Sequence, residues 1–129
     1  RTPHFSLKNL RATDVNLLGA TLELDLGIDN DHESTLFFEM FDYDISLGGK
    51  AIAGGTLNTL ADVSGASEAT VTLPIDVDFL TAAVVVVEAI LGQGTLEVGL
   101  DANMDVITPF TDKPLPLSID QLEELLVVD

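Results

Sequence analysis

The sequence predicts a mainly-β chain: a two-sheet antiparallel sandwich of about seven strands, with one α-helix over roughly 78–91. Three observations carry that expectation. Apolar and polar residues alternate in segment after segment, the period-2 pattern of strands with one dry and one wet face. Turn signals rich in Gly, Asp and Ser separate those segments at short intervals. Alternation stops in one stretch, Asp78 to Leu91, where helical spacing replaces it. At 129 residues the chain reads as a single domain over 1–129. A domain of that size buries roughly two-thirds of its unfolded surface, so it needs no disulfide or metal to hold it.

Taken in order, Phe5, Leu7 and Leu10 pattern a first strand, with Pro3 at a position where a missing N–H donor is tolerated. Asp14 to Gly19 is a turn. Thr21 to Asn30 is the cleanest strand, with Leu22, Leu24, Leu26 and Ile28 on one face and Glu23, Asp25 and Asp29 on the other. The polar run Asp29 to Ser34 turns the chain. Phe37, Phe38, Met40 and Phe41 then crowd apolar bulk, which reads as core plus a bulge, or as a partly exposed patch for a partner or lipid. Phe41, Tyr43, Ile45 and Leu47 resume alternation, Gly48-Gly49 suits a tight hairpin turn, and Lys50 to Leu57 returns antiparallel. Gly54-Gly55 in the return strand predicts a bulge or a close backbone approach.

Asp62 to Ser67 is a loop. Ala69, Val71, Leu73, Ile75 and Val77 alternate again, with Pro74 on the outward phase marking an edge or a bulge. For 78–91, Asp78 serves as N-cap and Gly92 as the stop. Thr95 to Asp105 is a strand with Leu96, Val98, Leu100, Ala102 and Met104 inward. Leu115, Leu117 and Ile119 form the last one, with Pro114 and Pro116 marking an edge. Residues 121–129 read as an acidic-apolar C-terminal tail.

With 47% hydrophobic residues the chain is core-forming. Asp and Glu number 22 against 5 Lys and Arg, a net charge of −17. Such a field repels nucleic acid, which needs a cationic footprint. Asp-rich, Lys-poor surfaces also suit high salt, which screens self-repulsion. Cysteine is absent, so thiol catalysis and Cys-type zinc sites are excluded. No apolar run approaches the ~20 residues of a membrane span.

No catalytic, cofactor-binding or metal site is assigned. His32 between Asp31 and Glu33 has the residue types of a base or ligand, but a polar turn accounts for it; His4 near the terminus merits less weight. Asp29-x-Asp31-x-Glu33 begins like a calcium loop, yet Ser34 and Met40 stand where that loop needs Gly and Glu. A looser carboxylate calcium site at one end of the sandwich stays open. Gly48-Gly49-Lys50 lacks the remaining residues of a phosphate loop. The pairs Asp42/Asp44 and Asp101/Asp105 lie on wet strand faces; hydrolysis of glycosides would require them in a cleft.

The hairpin FDYDISLGGKAIAGGTL (41–57), the strand ATVTLPIDV (69–77), the segment KPLPLS (113–118) and the opening Pro3-x-Phe5-x-Leu7 resemble, in order and spacing, the group 2 late-embryogenesis-abundant domain, also called the WHy (water stress and hypersensitive response) domain. One departure is Asp31 after Asn30, where the family usually has Pro. The resemblance implies a fibronectin-type-III-like sandwich with one helix, a role in desiccation or osmotic stress tolerance, and no catalytic residues. It also implies export or lipid anchoring behind a removed leader, as in many prokaryotic members. The expected function is therefore non-enzymatic stress protection by an acidic, salt-tolerant surface. The rival is a lipid- or protein-binding module using the apolar groove between helix and sheet.

Overall fold

A computed structural model describes residues 2–129. The elements run β1 (His4–Val15), β2 (Gly19–Asn30), β3 (Leu36–Leu47), β4 (Lys50–Val63), β5 (Ser67–Asp78), α1 (Val84–Gly92), β6 (Thr95–Ile107) and β7 (Leu115–Val128). The alternation seen in the sequence is the alternation of burial: Leu22, Leu24, Leu26 and Ile28 of β2 and Phe41, Ile45 and Leu47 of β3 are fully buried. Each such side chain contributes roughly 1.5–3 kcal/mol on leaving water, which makes these inward rows the main stabilising term.

The strands form one sheet of order β4-β3-β6-β7-β1-β2-β5. Its halves, β5-β2-β1 and β7-β6-β3-β4, are antiparallel throughout. They join by a short parallel pairing of β1 with β7, Leu10↔Val127 and Arg11↔Val128. The inward side chains of both halves share one core. Phe5 of β1 meets Phe38 of β3 edge-on across it, with ring centroids 5.7 Å apart. The end strands β4 and β5 approach each other without a hydrogen-bond ladder between them. The architecture is thus mainly β with seven strands and one short helix. The expected pair of separate layers is corrected to a single sheet curled nearly into a barrel.

The physical reason for that correction lies at residues 121–129, which are not a tail. Gln121 to Val128 continue β7, with Val127 fully buried and its N–H donating to Gly94 O at 2.8 Å. This extension reaches β1 and joins the two halves. Pro116 stays compatible with it because that part of β7 pairs with β6 only.

The helix is also shorter than the expected 78–91. Asp78 remains paired with Gly19 at the end of β5, and its carboxylate accepts the Leu80 N–H at 2.9 Å in a turn. It therefore does not cap the helix, which starts at Val84 after Ala83 without a side-chain cap. The stop is Gln93 in the left-handed conformation (φ 53°), one residue past Gly92, its N–H bonded to Ala89 O. In β3 the crowded apolar run resolves as core plus a bulge. Met40 takes φ 52° and is half exposed, which lets Phe38 and Phe41 both point inward.

Candidate functional site

Three regions carry the residues singled out by the sequence: a polar end, an outer acidic face, and a cleft beside the helix.

At the polar end, the turn after β2 meets the turn after β4. Asn30 is fully buried. Its amide donates to the carbonyls of Ser34, Val63 and Ser64 at 3.0–3.2 Å, and its oxygen accepts the His32 N–H at 2.9 Å. Ala66 N–H bonds His32 O at 2.7 Å. Beside this clamp lies an open depression of about 450 Å³ lined by Asp31, His32, Glu33, Ser34 and Phe110. His32 and its flanking carboxylates are thus gathered at one place. Asp29, by contrast, stays in the β2 ladder opposite His4. Among the described residues no group of three or more His, Asp or Glu is placed to hold a metal ion.

The outer face divides by charge. On β5-β2-β1, carboxylates meet cations: Lys8 pairs with Glu68, and Arg11 bridges Glu23 at 3.0 Å and Asp25. Asp25 is 4% exposed although it lies on the outward phase. Burial alone would push its carboxyl up. Hydrogen bonds from Arg11, Thr72 and Asn9, with the Arg11 charge, outweigh burial and hold it below the usual carboxylate value.

On β3-β6-β7 the balance differs, because these three strands contain no Lys or Arg. Asp44, Asp101 and Asp120 stand side by side across them. A shared hydrogen bond with Asp120, its charge, some loss of solvent and the charge of Asp44 raise Asp101 above the usual carboxylate value. Farther along the same face, beyond the row of Ser46, Gly99 and Leu122, Glu97 pairs with Glu124. Asp101 and Asp105 share this face but are four residues apart, about 13 Å along a strand. That exceeds the spacing of a glycosidase pair. Asp42 accepts a bond from Thr56 at 3.3 Å, and none of these carboxylates lines the polar-end depression or the cleft beside the helix.

The third region is a cleft of about 190 Å³ between the start of α1 and the β3–β4 hairpin, lined by Leu47, Lys50, Ala51, Ile52, Thr81–Ala83 and Val86. The helix buries Val86, Ala89 and Ile90 and leaves Val84, Val85 and Leu91 exposed. Gly48 and Gly49 make the hairpin turn with φ 61° and 84°, and Gly48 N–H bonds Glu97 O at 2.8 Å.

Sequence reasoning missed Asn30 and Asp25. Asn30 was detectable as a polar residue on the apolar phase of its strand. Asp25 was detectable because Arg11 is one of only five cations and falls in the strand beside it.

Against known proteins, a model of the late embryogenesis abundant protein family matches residues 25–121. No curated protein matches in sequence. Among solved structures, a solution structure from Arabidopsis thaliana superposes with a TM-score of 0.67 at 11% identity, over 97% of this chain and 82% of that one. The solution structure of a protein described as late embryogenesis abundant gives 0.60 at 17%, over 97% and 72%. A crystal structure from Archaeoglobus fulgidus gives 0.52 at 15%, over 94% and 97%. At these identities the structural likeness concerns the fold.

Proposed function

The chain belongs to the late embryogenesis abundant protein family, and from that premise we propose that it is a non-enzymatic protective domain acting under desiccation or osmotic stress. The observation that carries the reading is the uncompensated carboxylate face of β3-β6-β7. Its directly opposed acids, Asp44 with Asp101 and Glu97 with Glu124, repel one another at low salt. They hold water and counter-ions, and they keep neighbouring molecules apart as water activity falls. The same face gives the domain a salt-tolerant surface. The finer place within the family, the WHy group, rests on the hairpin at 41–57. Export or lipid anchoring behind a leader belongs to the same proposal.

The test is survival of a labile enzyme through drying and freezing with this protein present. Protection exceeding that of an unrelated acidic globule of equal net charge is the expected result. Equal protection by the two reduces the effect to bulk charge and removes the specific role.

A second reading, a lipid or protein ligand in the groove between helix and sheet, is favoured by the exposed Val84, Val85 and Leu91 of α1. At about 190 Å³ the cleft is smaller than the roughly 300–1,000 Å³ of sites that enclose small molecules. An occupant would have to lie on the helix rather than inside the fold.

A further inference from the structure

The free edge of β4 is less guarded than that of β5, the other end strand of the sheet. Both end strands of the sheet have one unpaired side, and proteins normally defend such edges with charge or proline. β5 does so with Glu68, Pro74, Asp76 and Asp78, whereas β4 carries no charge and no proline from Ala51 to Ala61. In a chain with 21% charged residues, an uncharged edge of that length departs from the rest of the surface.

The inner side of the same edge is unfinished. Leu57 stands opposite Phe41, whose side chain is fully buried, so Leu57 faces the core side; it is nevertheless 36% exposed. Tyr43, stacked on Phe41 at 5.2 Å and opposite Gly55, is likewise only partly covered. The outer side of the edge is acidic. The Asp44 carboxylate lies against Gly54, where a Cβ would come within 2.7 Å of it, and Asp42 accepts a bond from Thr56.

We propose that β4 is a strand-addition site that takes an extended polypeptide segment with alternating apolar and basic side chains. Main-chain hydrogen bonds to the open edge supply the attachment. Apolar side chains on the inner phase cover Leu57 and Tyr43, and Lys or Arg on the outer phase reach Asp44 and Asp42. Charge decides the occupant. A second copy of this chain brings another −17 to the contact, whereas a basic strand neutralises the face it joins. This pairing does not depend on the protective role proposed above.

The test uses three labelled nine-residue peptides at low salt: alternating Val/Lys, alternating Val/Glu, and the Val/Lys peptide with a central proline. Fluorescence anisotropy and amide hydrogen exchange are read on the full chain. The expected results are saturable binding of the Val/Lys peptide, and binding weaker by at least about tenfold for the other two. New amide protection should appear between Lys50 and Thr59. The double variant Asp42→Asn/Asp44→Asn, whose changes are on the outer face, should fold and bind the Val/Lys peptide severalfold more weakly. Equal binding of the proline peptide means ionic adsorption without a ladder and overturns the proposal. Equal binding of the glutamate peptide, protection confined to β5 or α1, or a protein already dimeric through β4 does the same.

Discussion

Asn30 shows how much one side chain holds together. With no exposure it serves three carbonyls and one N–H from two separate turns. Asn30→Ala removes the shared partner of those groups, one of them fully buried, at a cost of about 2–4 kcal/mol. Chemical denaturation should show that loss as a lower midpoint with an unchanged slope. Asp25 and Asp101 answer pH in opposite directions. Because Asp25 is held below the unfolded value, its contribution is present above an unfolded pKa of about 3.9 and is lost as pH falls through the folded value. Asp101 is raised, so its contribution is fullest below about 3.9 and is lost as pH rises through the folded value. Asp101→Asn should therefore raise Tm by a few degrees at neutral pH and low salt, with the gain shrinking near pH 3. A melting series of wild type and variant across pH checks this; a gain that does not change with pH would point to packing instead of charge.

Among the elements, the strands were legible from alternation and the joints were not. Leu22 to Ile28 and Leu96 to Met104 put their apolar phases in the core as their spacing required. Alternation reports which face is dry but not which strand lies alongside, so the β1–β7 joint and the curling into one sheet were hidden. The segment after Asp120 looked like a tail because Leu122-Glu123-Glu124-Leu125 breaks alternation. Its anchor is the single buried Val127, whose partner Leu10 lies more than a hundred residues away. The helix was visible, but its start was not. The pairing of Asp78 with Gly19 keeps in the sheet a residue that local spacing assigned to a cap. Of the candidate site, the His32 cluster was visible and the Asn30 clamp beneath it was missed, since a hydrogen bond across two turns leaves no periodicity. The joint gives a direct prediction. Val127→Ala should cost about 2 kcal/mol, and Val127→Asp, which buries an unpaired charge, should prevent folding. Circular dichroism melts of both separate a closing strand from a dangling one, for which neither change would matter.

For the molecule as a whole, the net charge of −17 is unevenly spread, and that asymmetry predicts a salt response. The β5-β2-β1 face is ion-paired through Lys8 and Arg11, so screening there weakens attraction as well as repulsion. The β3-β6-β7 face has only repulsion to lose, among Asp44, Asp101, Asp120, Glu97 and Glu124. At ~0.1 M salt the Debye length is about 10 Å, so carboxylates on adjacent strands interact almost unscreened, whereas at ~1 M it falls to about 3 Å, below the strand spacing. The unfolding midpoint in sodium chloride should therefore rise between those concentrations. Most of the rise should disappear in the double variant Asp44→Asn/Asp101→Asn, because the steepest repulsion lies in that one row. An exposed Asp→Asn pair outside that ladder, such as Asp31 with Asp112, changes net charge by the same amount and should leave the rise largely intact. Equal loss from both double variants would mean that the response follows total charge and not the arrangement of the ladder. The acidic face would then contribute to salt tolerance only as a carrier of charge.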